Sequence, residues 1–138
     1  MSRTELPLVL VVDDFRDGRE MYAEYLSQDG FAVAEAADGE EAVAKARALL
    51  PDVVLMDLSL PGMDGWEATR ILKADPRTRH IRIVALTAHA LASYAESARA
   101  AGCDGVVTKP CLPPDLAAEV RRQLAASSSG ADLEESPR

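Results

Sequence analysis

Short, continuous apolar segments alternate along this chain with longer amphipathic ones, and this alternation constrains the fold more than any other feature. The apolar runs are LVLVV at 8–12, VVLM at 53–56, IVAL at 83–86 and GVV at 105–107, with a weaker run, FAVAEA, at 31–36. Apolar runs this short are typical of strands that are buried on both faces. They predict the five strands of a parallel sheet.

The segments between the strands carry apolar residues at helical spacing. Predicted helices cover residues 17–29, 38–50, 64–74, 89–101 and 113–126. The residues that share one face of the first helix are Met21, Tyr22, Tyr25 and Leu26, and the corresponding face of the second includes Leu49 and Leu50. Strands that alternate with helices predict an α/β fold, with a doubly wound, five-stranded parallel sheet of (βα)5 architecture.

The length and the charge limit the possible functions. A chain of 138 residues can bury the core of one domain, which we expect over residues 1–126, and the polar segment 127–138 is expected to be a disordered tail. Residues 1–7 lack the apolar core of a signal peptide, so a cytoplasmic location is expected, with Cys103 and Cys111 as ordinary thiols. The net charge of −8 argues against DNA or a membrane surface as a partner.

Polar residues stand at the carboxyl ends of four predicted strands. They are Asp13 and Asp14 after the first strand, Asp57 after the third, Thr87 after the fourth and Lys109 after the fifth. Each has an ordinary structural explanation, since such residues also cap helices and form turns. Ligands of open parallel sheets, however, bind outside the carboxyl ends of the strands. Their occurrence together therefore indicates a site.

Three carboxylates in one pocket would repel each other strongly. Two that are about 4 Å apart repel by roughly 4 kcal/mol at an effective dielectric constant near 20. Lys109 can offset one of these charges, and a hard divalent cation with oxygen ligands would offset more. Mg²⁺, which binds one or two carboxylates together with phosphate oxygens, fits this set, so the site is expected to serve phosphoryl chemistry.

Four motifs resemble those of the receiver domain of bacterial two-component response regulators. They are LVVDD at 10–14, LMDLSLPGMDG at 55–65, ALTA at 85–88 and TKP at 108–110. The resemblance covers about residues 8–124 and implies a flavodoxin-like fold. It also implies that Asp57 is the phosphoacceptor, which takes a phosphoryl group from the phosphohistidine of a histidine kinase.

The same resemblance assigns roles to the other motif residues. Asp13, Asp14 and Asp57 would hold Mg²⁺ together with the backbone carbonyl of Ser59. Thr87 and Lys109 would contact the phosphoryl oxygens, and a cis peptide bond would precede Pro110. Phosphorylation would then draw the Thr87 hydroxyl inward and shift the surface of residues 87–107.

The chain departs from the family pattern at the switch position. Many receivers carry Tyr or Phe three residues before the lysine, where this chain has Val106. Val106 is therefore either an altered switch residue or an ordinary β-branched strand residue. Ser59 and His89 occupy the positions that tune hydrolysis of the acyl phosphate in the family, although His89 could instead face solvent.

The resemblance implies a histidine kinase or a histidine phosphotransfer protein as the phosphodonor, and a downstream protein as the target. The protein would not be an enzyme in the usual sense, although it would catalyse its own phosphorylation and dephosphorylation. Output and phosphate relay both stay open. A phosphatase of the haloacid dehalogenase type is disfavoured, because neither Asp13 nor Asp57 has a second aspartate two residues later. A pseudo-receiver, which binds proteins without being phosphorylated, is the alternative.

Overall fold

The computed structural model describes residues 6–58, 64–88 and 92–135, and the side chains of residues 92–94 and 128–135 lie outside that description. The strands are β1 (Leu8–Val12), β2 (Ala32–Ala36), β3 (Val53–Asp57), β4 (Arg82–Thr87) and β5 (Gly105–Thr108). The helices are α1 (Arg16–Gln28), α2 (Gly39–Leu49), α3 (Gly65–Ala74), α4 (Ala92–Ala101) and α5 (Pro113–Glu135).

The five strands form one parallel sheet in the order β2-β1-β3-β4-β5. The predicted doubly wound, flavodoxin-like α/β fold is therefore confirmed. The strand order reverses between β1 and β3, which lie side by side with Val11 opposite Leu55. An open parallel sheet forms its ligand-binding crevice at such a reversal.

Alternate residues of the strands enter two separate cores, one on each face of the sheet. Leu10, Met56 and Ile83 pack with residues of α2, α3 and α4, whereas Val9, Leu55 and other alternate residues pack with α1 and α5. This arrangement follows from the period of two residues in a strand. Both faces of the sheet are covered, which explains why the strands read as continuous apolar runs.

Aspartate side chains define where two of the helices begin. Asp38 accepts a hydrogen bond from the backbone N–H of Glu41 at the start of α2, and Asp64 accepts one from Glu67 at the start of α3. Each caps one of the amide groups that have no partner within the helix. At the other end of α2, Leu50 adopts a left-handed conformation with φ of 51°, which ends the helix.

Some predicted helix faces differ from the structure. Met21, Leu49 and Leu50 are exposed, whereas Tyr22 and Leu26 are buried. Met21 lines an open groove, and Leu49 and Leu50 lie at the end of α2, where Leu50 adopts the left-handed conformation. Among the helices that the structure describes, none is both long and apolar enough to cross a membrane.

Helix α5 extends to Glu135 and so includes residues 127–135, which the composition predicted to be a disordered tail. Alanine, leucine and glutamate in ADLEE favour a helix, and a helix that has already formed needs no new nucleation to continue. The division of the chain into a domain over residues 1–126 and a tail stays a prediction.

Candidate functional site

Three carboxylates meet where the strand order reverses. Asp13 and Asp14 follow β1, and Asp57 ends the neighbouring β3. One carboxylate oxygen of each lies within 4.8 Å of the others. Asp13 and Asp57 are only 2% and 7% exposed, whereas Asp14 faces solvent. The predicted convergence of these three residues is confirmed.

Lys109 supplies a positive charge to the two buried carboxylates. Its Nζ donates to Asp13 Oδ2 at 2.9 Å and to Asp57 Oδ2 at 3.4 Å. Partial burial acts to lower the pKa of Lys109, but the hydrogen bond to Asp13 and the charges of Asp57 and Asp13 outweigh that effect and raise its pKa. The amine is therefore held in its cationic form beside the carboxylates. The peptide bond between Lys109 and Pro110 is cis, as the resemblance implied.

The backbone and the side chain of Asp13 are both fixed. Its N–H donates to the carbonyl of Ala36 at 3.1 Å, and its Oδ1 accepts from the N–H of Phe15 at 2.9 Å. Arg19 Nη1 donates to its backbone carbonyl at 3.0 Å. Sequence reasoning missed Arg19, because a helical arginine gives no local sign that it turns back toward the preceding strand.

Gly65 packs against the backbone of Asp57 and was also missed. A Cβ atom at Gly65 would lie 2.1 Å from the carbonyl oxygen of Asp57 and 2.8 Å from Cα of Leu58. Only glycine allows the start of α3 to approach β3 this closely. The sequence did show a glycine at the start of a predicted helix. The helical backbone does not require glycine there, so its presence could have indicated a close contact with another element.

Thr87 lies beside these groups at the end of β4. It is buried, and its backbone carbonyl accepts a hydrogen bond from the N–H of Lys109 at 2.7 Å. Val106 lies opposite Ala85 in the sheet and packs against the core on the side of α2, α3 and α4. Ser59 and His89, the two predicted hydrolysis-tuning residues, lie outside the described residues.

A groove with a largely apolar rim opens beside the carboxylates. Asp13 and Lys109 contribute to its lining, together with Phe15, Gly18, Met21, Tyr22, Ala88 and Pro110. Phe15 is 64% exposed, and Leu112 on the adjacent β5–α5 connection is 68% exposed. Exposed apolar groups next to a charged pocket are suited to a protein partner that brings its reactive group to the pocket.

The donor chemistry of the pocket fits a divalent cation and a phosphoryl group. Carboxylate oxygens from Asp13, Asp14 and Asp57 are ligands that Mg²⁺ prefers, and the open side at Asp14 leaves room for water. Lys109 is a point charge of the kind that binds phosphate oxygens. The carboxylate of Asp57 therefore lies in a pocket where Lys109, together with a bound cation, could offset the charge of an incoming anion.

Comparisons with known proteins agree with the geometry. Residues 9–121 match the profile of the response regulator receiver domain. The polar-differentiation response regulator DivK of Brucella anthropi is 32% identical over 116 residues, which is 84% of this chain and 94% of that protein.

Solved structures are similar in fold and extent. The chemotaxis response regulator CheY4 of Vibrio cholerae is 32% identical, with a TM-score of 0.82, over 86% of this chain and 99% of that one. The receiver domain of a signal transduction histidine kinase from Syntrophus aciditrophicus is 30% identical, with a TM-score of 0.79, over 87% of this chain and 91% of that one. The chain therefore belongs to the response regulator receiver domain family.

Proposed function

We propose that this protein is the phosphoacceptor of a two-component or phosphorelay signalling system in the cytoplasm. Asp57 takes a phosphoryl group from a phosphohistidine of a histidine kinase or a histidine phosphotransfer protein. Its carboxylate oxygen forms the new P–O bond while the P–N bond to the imidazole breaks, and the departing imidazole nitrogen keeps the electron pair and takes up a proton. The phosphorylated state then controls the binding of a downstream protein or passes the phosphoryl group on.

The placement of Asp57 carries this proposal. Its buried carboxylate lies at the reversal of strand order, within reach of Lys109 and beside the carboxylates of Asp13 and Asp14. A carboxylate that only ended a strand would be more stable in water than next to two like charges. Lys109 would hold the phosphoryl oxygens of the donor in line with the attacking oxygen, since positioning and charge neutralisation dominate phosphoryl transfer.

Asp13, Asp14 and Asp57 would hold Mg²⁺, together with the backbone carbonyl of Ser59 that the family resemblance adds. When bound, the ion neutralises charge that develops on the phosphoryl oxygens. The separation of at most 4.8 Å between the three carboxylate oxygens supports this set, because one cation can be reached by all of them.

Thr87 is proposed to carry the signal away from Asp57. Its hydroxyl would bind the new phosphoryl oxygens, and its backbone is already joined to that of Lys109. Val106 has no ring to rotate, so the change would pass through backbone and helix packing over residues 87–107.

We expect Thr87→Ala to be phosphorylated but to lose the change in amide hydrogen exchange over 87–107 that beryllofluoride causes in the wild type. Val106→Tyr should be phosphorylated normally and bind its partner with altered affinity. A beryllofluoride response restricted to residues 58–65 would contradict this route.

Phosphorylation is tested by incubation with acetyl phosphate and Mg²⁺, followed by intact mass measurement. The wild type should gain one phosphoryl group, and Asp57→Asn should gain none while remaining folded. Asp17→Asn is the matched control, because Asp17 is an exposed carboxylate in the first turn of α1 and should not affect the mass gain. A wild type that gains no phosphoryl group would support the pseudo-receiver alternative instead. Full labelling of Asp57→Asn would place the acceptor elsewhere.

A further inference from the structure

Arg19 joins the backbone of Asp13 to a second strand of the sheet. Its Nη1 donates to the carbonyl of Asp13 at 3.0 Å, and its Nε donates to Glu35 Oε1 at 2.9 Å. The side chain of Arg19 is only 15% exposed, whereas that of its partner Glu35 is 38% exposed. Glu35 belongs to β2, which pairs with β1 directly before Asp13. Arg19 therefore spans α1, β2 and the end of β1.

Glu35 is itself held in place. Lys45 of α2 donates to the backbone carbonyl of Glu35 and forms an ion pair with Glu41 at 3.0 Å. The arginine thus contacts a carboxylate on a strand whose carbonyl is fixed by a neighbouring helix. A planar guanidinium donates hydrogen bonds in fixed directions and can therefore reach Glu35 and the carbonyl of Asp13 at once. A lysine ammonium at the same position lacks this fixed arrangement of donors.

The hydrogen bonds of Asp13 leave one of its atoms for the pocket. Its N–H, its carbonyl and its Oδ1 engage Ala36, Arg19 and Phe15, whereas its Oδ2 faces Lys109 at 2.9 Å. The direction of Oδ2 therefore depends on how firmly the backbone of Asp13 is held. Arg19 donates to the backbone carbonyl of Asp13 and not to its carboxylate.

We propose that Arg19, oriented by Glu35, is a positioning residue that fixes Asp13 for cation binding and hence for phosphoryl transfer. The inference rests on the proposed function, in that the cation is the Mg²⁺ of the phosphoacceptor site. It differs from a simple charge effect. The charge of the guanidinium is already paired with that of Glu35. Arg19 therefore supports cation binding by holding the backbone of Asp13 with a directed hydrogen bond.

The test compares Arg19→Met with a matched control, Arg16→Met. Arg16 lies one turn earlier on α1 and forms a similar pair with Glu20 at 2.9 Å, but this pair is largely exposed. Both substitutions change the net charge equally. The dissociation constant for Mg²⁺ is measured by fluorescence of Trp66, the single tryptophan, which follows Gly65 at the start of α3. Far-UV circular dichroism verifies the fold of each variant.

We expect Arg19→Met to bind Mg²⁺ about tenfold more weakly, as is usual when the support of a metal ligand is removed. Arg16→Met should bind like the wild type. Arg19→Lys keeps the charge without the two directed bonds and should resemble Arg19→Met. It also serves as the test if Arg19→Met does not fold. Wild-type affinity in Arg19→Lys, or equal weakening in both methionine variants, would show a charge effect and overturn the inference.

A second measurement needs no metal. The amide of Phe15 donates to Asp13 Oδ1, so in the metal-free protein its hydrogen exchange should be faster in Arg19→Met than in the wild type and in Arg16→Met. Unchanged exchange at Phe15 in Arg19→Met would overturn the positioning role, even if that variant bound Mg²⁺ more weakly. A wild type without any response to Mg²⁺ would overturn the proposed function, and the exchange measurement would still decide whether Arg19 fixes Asp13.

Discussion

Replacement of Gly65 by alanine should disrupt the site from the backbone side of Asp57. The added Cβ would lie 2.1 Å from the carbonyl oxygen of Asp57, whereas a carbon atom approaches a carbonyl oxygen to about 3.3 Å. The two backbones must therefore separate by about 1.2 Å. Neither side of this contact is a side chain that could rotate away. The start of α3 or the end of β3 has to move instead.

The expected cost follows from this overlap. Forcing an extra carbon atom into a packed site costs about 1–3 kcal/mol, and a contact between two backbones belongs near the upper end of that range. Alanine regains up to about 1 kcal/mol through its helix propensity, so the free energy of unfolding should fall by about 2 kcal/mol. With an unfolding entropy of about 2.1 cal/mol/K per residue, a domain of this size should melt about 7 °C lower.

Thermal unfolding followed by circular dichroism measures this effect, and Gly18→Ala is the matched control. Gly18 also lies in the first turn of a helix, but the nearest atom to a Cβ there would be in the exposed ring of Phe15, at 3.1 Å, and Asp13 Oδ2 would lie at an ordinary contact distance of 3.9 Å. That ring can rotate, so Gly18→Ala should be as stable as the wild type or more stable. Gly65→Ala should also be phosphorylated more slowly by acetyl phosphate. If Gly65→Ala melted together with Gly18→Ala, the reasoning on close approach would be refuted.

Three further predictions concern the metal, the pH dependence and the thiols. Mg²⁺ at about ten times its dissociation constant should add roughly 1.4 kcal/mol to the stability of the wild type, and Asp14→Ala should abolish the rise in melting temperature. The hydrogen bond from Arg77 holds the pKa of Asp75 below its usual range, so wild-type stability contains a contribution that is present above about pH 4 and lost below it. The gap in melting temperature between the wild type and Asp75→Asn should accordingly shrink in acid, and a gap that widened there would contradict the assignment. Burial raises the pKa of the Cys103 thiol to about 11, so alkylation near pH 8 should modify Cys111 before Cys103, as read by peptide mass, unless the protein is unfolded first.

The strands could be predicted because their signals are local, and their alternation with helices predicted the parallel sheet. A run such as LVLVV is buried on both faces, and the structure places its strand at Leu8–Val12. The exposed positions were harder to predict, since Met21 and Tyr22 are adjacent and equally apolar in the sequence. Only the packing of α1 against the sheet decides that Tyr22 is buried, with its hydroxyl donating to the carbonyl of Cys111 at 2.7 Å.

The carboxylates of the site could be predicted for a topological reason. Strands that run parallel end at the same edge, so residues that follow different strands are brought together whatever lies between them in sequence. Arg19 and Gly65 follow no such rule. Arg19 acts through a contact from a helix back to the preceding strand, and Gly65 acts through the absence of a side chain. Both effects depend on distances between elements, which no local pattern contains.

The net charge of the pocket relates the roles of Arg19 and Gly65 to the proposed binding of a cation. Asp13, Asp14 and Asp57 contribute three negative charges when ionised, and Lys109 contributes one positive charge, so the groups described there sum to −2. The charge of Arg19 does not alter this sum, because Glu35 balances it. A divalent cation would bring the pocket to neutrality, and transfer of a phosphoryl group to Asp57 would make it negative again. The hydrogen bond from Arg19 to the backbone of Asp13 and the close packing of Gly65 on the backbone of Asp57 limit how far these like charges could move apart. The repulsion that remains is then relieved by binding a cation rather than by opening the fold.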